Sequence, residues 1–224
     1  MLLGVYTFVF GYVYQARFGK APGESKPDFA LALFTGLVVF EFFSECLARS
    51  PTLILSNTNY VTKVLFPLEI LPVSAVGGSF VHLAISAIPM FAGVLLLRHA
   101  LPLTVLYLPV ILLPLVLFCL GLSWLFASLG VFIRDVNSIV PVVVTVLMWI
   151  SAVFYPLSKV PAQFLPLVRC NPLAVLIDQW RNAVLWGIAP DWLQYARVLL
   201  IGLATLLGGY AFFMRTKRAF ADVL

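Results

Sequence analysis

The sequence predicts an all-α integral membrane protein: a six-span helical bundle with an amphipathic segment between spans two and three and short re-entrant or interfacial helices between spans five and six. Composition is the first ground. The chain is 62% hydrophobic and 10% charged, with a mean hydropathy of +1.07, whereas soluble domains carry about 25% charged residues. The second is a series of apolar runs near the length of about 20 residues that a helix needs to cross a bilayer. The third is Met148–Gly187, which stays apolar but is broken by Pro156, Pro161, Pro166 and Pro172. Each piece between prolines is too short to span. Such backbone survives at membrane depth only where protein buries it or where it lines a wet cavity, so the stretch points to a pathway rather than an anchor.

The elements follow in order. Span one is Met1–Tyr14; as a helix it covers only about 21 Å and reads as incomplete. It has no basic start and no small-residue cleavage site of a signal peptide. Gln15–Asp28 is a polar loop broken by Gly19, Pro22, Gly23 and Pro27. Span two is Phe29–Leu47. Ala48–Phe66 interleaves Asn57, Asn59, Thr62 and Lys63 with Leu53, Ile54, Leu55, Tyr60, Val64 and Leu65, the pattern of a short amphipathic helix at a membrane surface. Span three is Ile70–Leu97, span four Leu103–Ile133, span five Ile139–Tyr155 and span six Ala196–Met214. Within the broken stretch, Asn171 fits an N-cap, Pro172 the first helical position and Gly187 the stop of a short amphipathic helix. Asp178 and Arg181 on it stand at i, i+3 and can pair.

An even number of spans puts both ends on one side. Arg49, Lys63, Arg134, Arg215, Lys217 and Arg218 then face Arg17, Lys20, Lys26, Arg98, Lys159, Arg169 and Arg181 across the membrane, with Arg197 at the edge. That tally does not decide orientation; the terminal cluster Arg215, Lys217, Arg218 favours a cytoplasmic C-terminus. Small residues mark helix contacts that allow close backbone approach: Ser123, Ala127 and Gly130 on span four, Ala204, Gly208 and Ala211 on span six, Ser74 and Gly78 on span three. They indicate bundle packing or dimerisation.

The net charge of +5 is spread along the chain and forms no nucleic-acid patch. Cys46, Cys119 and Cys170 have no metal spacing and read as small buried hydrophobes. His82, inside an apolar run, suits an interhelical hydrogen bond. No phosphate-cradling G-x-x-x-x-G-K-[ST], H-E-x-x-H or G-x-S-x-G occurs, so neither nucleotide hydrolysis nor a catalytic, cofactor or metal site is expected in this chain. Glu41 and Glu45 are the ionisable residues within spans. They could line a polar conduit or proton path, but Arg49 follows Glu45 at i+4 and a surface ion pair is the stronger reading. The lack of a relay on the other spans argues against ion-coupled transport. Among the many aromatics, most suit lipid contact and interfacial belts. Trp149, Phe154 and Tyr155 adjoin the broken stretch and are candidates to line a path for sugar or lipid.

Several of these pieces resemble one family. Phe132-Ile133-Arg134-Asp135-Val136 after span four, Met148-Trp149-Ile150-Ser151-Ala152-Val153-Phe154-Tyr155-Pro156, and Asn171-Pro172-Leu173 are similar to ABC-2 type transmembrane subunits, above all those that export bacterial O-antigen, capsule and teichoic-acid polymers. Phe43-Ser44-Glu45 with Arg49-Ser50, and Asn59-Tyr60-Val61 leading into Phe66-Pro67-Leu68-Glu69-Ile70-Leu71-Pro72, fit the same pattern. The resemblance runs from about Phe29 to the C-terminus. It implies a single ABC-2 transmembrane domain over residues 1–224, in a multi-pass homodimer of the bacterial inner membrane. Two separate subunits would bind and hydrolyse ATP with Mg. The segment between spans two and three would be the coupling helix, with Asn57, Asn59, Tyr60, Lys63 and Phe66 touching the ATPase and Arg134 and Asp135 at a second cytoplasmic turn. Leu157–Gly187 would form an outward gate, with Trp149, Phe154, Tyr155, Asn171, Asp178, Trp180 and Arg181 lining the channel or gate. The cargo would be a polysaccharide on a polyprenyl-diphosphate lipid. The family begins with a cytoplasmic amphipathic helix before span one that this sequence does not show. An ABC-2 exporter of drugs or small lipids and a non-transporting membrane scaffold are the alternative readings.

Overall fold

The computed structural model describes Phe18, residues 26–59 and residues 66–220. Span one therefore lies outside the described residues, as do Tyr60 and Lys63 of the expected coupling segment. Within those residues the structure is helical. Four helices are long and apolar enough to cross a membrane: Pro27–Thr52, Ile70–Arg98, Leu103–Phe132 and Trp192–Ala219.

Helix α1 (Lys26–Arg49) opens with Asp28 in its first turn and closes with Arg49 in its last, both matched to the helix dipole. Helix α2 (Ile70–Arg98) and helix α3 (Leu108–Phe132) carry Pro89 and Pro114 inside, and a 3-10 turn over Leu103–Tyr107 precedes α3. Helix α4 (Val136–Ile150) covers 15 residues, about 22 Å, so it starts and stops earlier than the expected fifth span. The chain after Ile150 turns at Ser151 and Ala152. The broken stretch resolves into a 3-10 turn (Leu157–Lys159), helix α5 (Leu165–Cys170) and helix α6 (Pro172–Arg181), which runs into a π-helical turn over Asn182–Trp186. Gly187 stops it at φ 64°, a left-handed cap that glycine adopts without a Cβ penalty. Helix α7 (Trp192–Thr216) starts four residues before the expected sixth span. Asp191 sets that start: its Oδ1 accepts from the Leu193 and Gln194 amides, and Gln194 Nε2 donates to its Oδ2 at 2.7 Å.

The chain divides into two compact units. One comprises the described residues up to Glu41, Leu83–Leu112 and Met148–Ala196; the other comprises Phe42–His82, Leu113–Leu147 and the chain from Arg197. In the first, Leu33 of α1 and Leu173–Ile177 of α6 are buried. In the second, Ile54, Leu68, Trp124, Ala127, Phe213 and Phe220 form one apolar cluster.

The second unit departs from expectation in two places. Over residues 48–59, the described part of the expected amphipathic segment, no single helix runs: Ser50–Thr52 and Leu55–Asn57 are separate 3-10 turns, and Thr58 and Asn59 are helical. Pro51 cannot continue the α-helical ladder. Ser50, Pro51 and Ile54 are buried rather than at a surface. The small face of span four receives this segment. Ser50 Oγ bonds Ser123 Oγ at 3.0 Å, and a Cβ on Gly130 would stand 2.0 Å from the Pro51 carbonyl oxygen. On α7 the face packed within the chain is Gly202, Thr205 and Gly209, and Ala204, Gly208 and Ala211, marked in the sequence for bundle packing or dimerisation, lie outside it. A Cβ on Gly209 would meet the Gly121 carbonyl oxygen at 2.0 Å, while Gly208 has nothing within 4 Å and Ala204 and Ala211 are exposed.

Candidate functional site

The proline-broken segment builds the most distinctive site. Asn171 caps α6 as its sequence position suggests. Its Oδ1 accepts from the Leu173 amide at 3.0 Å and its Nδ2 donates to Ser151 Oγ at 2.9 Å. This ties the helix start to the turn that follows α4. Pro172 stands at the first helical position, where a missing N–H costs nothing.

At its other end α6 carries Arg181, which is wholly buried. The expected Asp178–Arg181 pair does not form. Arg181 Nε donates to the Ala32 carbonyl of α1 at 2.9 Å, Nη1 to Ala152 at 3.3 Å and Nη2 to Val153 at 2.9 Å. Its guanidinium lies 4.3 Å from the centroid of the Phe18 ring, a cation–π distance. The i, i+3 spacing of Asp178 and Arg181 allows a pair. Three carbonyls and an aromatic face in one buried pocket offer the cation more. Burial pulls Arg181 down to about 10, Asp178 opposing, so it stays protonated at neutral pH. Asp178 instead accepts from Asn182 Nδ2 at 2.9 Å. The turn that Arg181 pins holds Ala152 at φ 56°, where an L side chain is strained.

Gly36 makes room for this clasp. A Cβ there would stand 2.3 Å from Arg181 Nη2 and 3.3 Å from Ile177 Cγ2. Sequence reading passed over both Gly36 and Phe18. A mid-span glycine opposite a lone arginine was the available signal for the first. An aromatic ring inside an otherwise polar loop was the signal for the second.

The π-helical turn after α6 is clasped as well. A π-turn leaves carbonyls outside the i→i−4 pattern. Thr104 Oγ1 donates to the Ala183 carbonyl at 2.6 Å, and Arg98 Nη1 donates to the Leu185 carbonyl. Arg98 Nη2 also lies 3.8 Å from Asp28 Oδ1. Side chains from α2 and from the 3-10 turn before α3 thus meet on the π-helical turn, with Asp28 of α1 beside Arg98.

The remaining candidates divide by environment. Trp149 is 50% exposed, whereas Phe154 is core at 5% and touches the Trp149 ring at 4.9 Å. Tyr155 is half-buried and donates its hydroxyl to the Ile150 carbonyl, closing the end of α4. Trp180 is buried and its Nε1 has no hydrogen-bond partner among the described residues. Of the coupling candidates, Asn57 is half-buried and donates to the Leu53 carbonyl one turn back at 2.8 Å. Phe66 packs against the second unit's core. Asn59, Arg134 and Asp135 are exposed. Glu41 is exposed, and Glu45 pairs with Arg49 as its spacing suggests. Glu45 Oε1 also lies 2.7 Å from His82 Nδ1, joining α1 to the middle of α2. Cys46 and Cys119 are buried; Cys170 is exposed, contrary to expectation.

Four helices long and apolar enough to cross a membrane, together with a short proline-bounded helix held by protein groups, fit a multi-pass membrane protein rather than a simple anchor. The family follows directly: the profile of the ABC-2 type transporter family matches residues 3–185, and the chain belongs to that family. It is similar to the O-antigen export system permease protein RfbA of Klebsiella pneumoniae, at 27% identity over 98% of this chain and 82% of that protein. RfbA of Myxococcus xanthus is 24% identical over 94% of this chain and 82% of its own length. The polysialic acid transport protein KpsM of Escherichia coli is 23% identical over 90% of this chain and 80% of its own length.

Proposed function

We propose that this chain is the permease subunit of an ATP-driven exporter carrying a surface polysaccharide, of O-antigen, capsule or teichoic-acid type, across the bacterial inner membrane on a polyprenyl-diphosphate lipid. The observation that carries this reading is the end-to-end likeness to export permeases for O-antigen and polysialic acid, over 90–98% of this chain. Two copies would enclose the path, and ATP with Mg would act on a partner subunit. Asn59, Arg134 and Asp135, exposed in the second unit, suit contact with that subunit, and Tyr60 and Lys63 would extend the same segment. Trp149, exposed beside the clasped helix, suits contact with the passing polymer through its ring face. Helix α6 suits an outward gate, because side-chain bonds to carbonyls hold it and these can be exchanged.

Deletion of the gene tests the reading together with affinity purification of the tagged chain. The expected result is loss of surface polymer, polymer accumulating inside the cell and copurification of a P-loop ATPase. Intact surface polymer with no ATPase partner overturns it.

A further inference from the structure

A cleft of about 240 Å³ opens in the first unit between the Leu157–Lys159 turn, α5, α6 and the start of α7. Its apolar side is Leu157, Val160 and Leu165. Leu157 and Val160 are backed by the small core of Ala152, Val168 and Ala174, so this floor is firm. Its polar side is Ser158, Arg169, Asp178 and Gln194, contributed by four different elements.

Two of those polar groups are held by neighbours. Asp178 is steadied by Asn182. Gln194 is steadied by the bond from its Nε2 to Asp191 Oδ2, which leaves its carbonyl oxygen as an acceptor. Arg169 sits within electrostatic reach of Asp191. Its charge adds to the hydrogen bonds from Gln194 and Leu193 that hold the Asp191 carboxyl below the usual carboxylate range.

The chemistry of the lining selects among ligands. One carboxylate and one guanidinium give the cleft no net charge. Asp178 repels a phosphate, and Arg169 repels a metal cation. An acyl chain offers no hydrogen-bonding group to Ser158, Arg169, Asp178 or Gln194 and would strip water from them without replacing it. A neutral polyhydroxyl ring fits: its C–H face rests on Leu157, Val160 and Leu165, and its hydroxyls donate to Asp178 and Gln194 while accepting from Arg169 and Ser158.

We propose that this cleft is a binding subsite for a single neutral sugar ring of the exported polymer, held by Arg169, Asp178, Gln194 and Ser158. The proposal rests on the exporter reading above and adds to it a location and a ligand class.

The test is saturation-transfer-difference NMR on the full chain in nanodiscs. The probes are the methyl glycosides of mannose, galactose, glucose and rhamnose, with free sialic acid as the charged counter-probe. The expected result is transfer to at least one neutral glycoside. Arg169→Leu and Gln194→Leu should each weaken it about tenfold, the size of one lost charged or amide hydrogen bond, with unchanged thermal unfolding. Ser158→Ala, at an exposed position, is a variant that leaves packing intact and should weaken it less. Absence of transfer to every neutral glycoside overturns the proposal. So does transfer to sialic acid alone, or transfer that all three variants retain. The exporter reading fails separately: a deletion strain with normal surface polymer defeats it even if a glycoside binds. A deletion strain that loses its polymer, alongside variants that bind as wild type, defeats the cleft alone.

Discussion

Gly36→Ala is a substitution whose sign the structure reverses. In an ordinary helix interior, alanine for glycine stabilises by about 0.5–1 kcal/mol. At Gly36 the new methyl would meet Arg181 Nη2 at 2.3 Å. A flexible side chain could normally swing away. Arg181 is fully buried and bonded to three carbonyls, so displacing it strands a cation in an apolar interior. Breaking a buried charge from its partners costs about 3–5 kcal/mol, and loss of the Phe18 contact adds about 0.5–2 kcal/mol. Arg181→Met behaves differently. It exposes carbonyls at about 1–3 kcal/mol each where they stay unpaired, but it also removes the desolvation penalty of the guanidinium, several kcal/mol. Its net cost is about 1–3 kcal/mol.

The double variant separates the two effects. With methionine at 181 the space beside Gly36 no longer holds a pinned cation, so Gly36→Ala/Arg181→Met should be about as stable as Arg181→Met alone. The coupling then equals the whole Gly36→Ala loss, at least about 3 kcal/mol, well beyond the roughly 0.5 kcal/mol scatter of independent sites. Thermal unfolding of the three variants in nanodiscs reads this directly. A loss of 3–5 kcal/mol corresponds to a drop of about 10 °C for a chain of this length. A Gly36→Ala protein more stable than wild type, or additive effects in the double variant, would refute the clasp.

Gly209→Ala should strongly destabilise, because its methyl would stand 2.0 Å from a backbone oxygen of Gly121, while Gly208→Ala, with open space around it, should be neutral or stabilising by up to about 1 kcal/mol; thermal unfolding of the pair checks both. Lys217 Nζ lies 2.6 Å from Glu69 Oε2, and that hydrogen bond holds the Glu69 carboxyl below its usual value. A lowered folded value means the stabilisation is full above about pH 4.3, the free glutamate value, and is lost as pH falls further through the folded value. Glu69→Gln should flatten this acid limb in an unfolding-versus-pH series and cost about 1 kcal/mol or less at neutral pH, the size of a partly exposed pair; an unchanged limb counts against the pair. Trp149→Ala should slow polymer export with little loss of stability, whereas Tyr155→Phe should cost about 1 kcal/mol by freeing the Ile150 carbonyl and leave export near normal; normal surface polymer in the Trp149 variant would assign that ring to lipid contact.

What was legible in the sequence was whatever local rules decide. Apolar run length marked the long helices, and Asn171, Pro172 and Gly187 marked the ends of α6 and its π-helical turn, because caps and left-handed stops act within a few residues. Helix contacts were less legible. The i, i+4, i+7 faces of spans four and six look alike in sequence, yet one is packed and the other open. Which small stripe meets a neighbour depends on helix rotation, which no local rule sets. Arg181 misled for the same reason: a carboxylate at i−3 is visible in the sequence, whereas the carbonyls of Ala32, Ala152 and Val153 come together only in the fold. The amphipathic pattern over Ala48–Phe66 described surface chemistry but not the chain path, since Pro51 and Gly130 decide the turn by contact across more than seventy residues.

The two units hold their helices by different means, and that difference has a measurable consequence. In the second, α3 and α7 approach so closely that a Cβ on Gly121 would run into the Thr205 backbone and one on Gly209 into the Gly121 carbonyl. Separating them forfeits dense dispersion contacts with no alternative partner. In the first, α6 is fastened through Asn171, Arg181, Arg98 and Thr104, each a polar side chain on a backbone or hydroxyl oxygen. Water can replace such partners as a path becomes hydrated, so opening there costs far less than the gross bond strength. Local opening draws on the least costly elements of a fold. Amide hydrogen exchange should therefore show residues 173–186 opening at lower free energy than residues 115–130 or 200–212. On the proposed export cycle, the gap should widen when an ATP-binding partner subunit is held in its ATP-bound state. Equal protection in both regions, whatever the nucleotide, would mean that α6 is a fixed part of the scaffold and that the polar clasps serve stability alone.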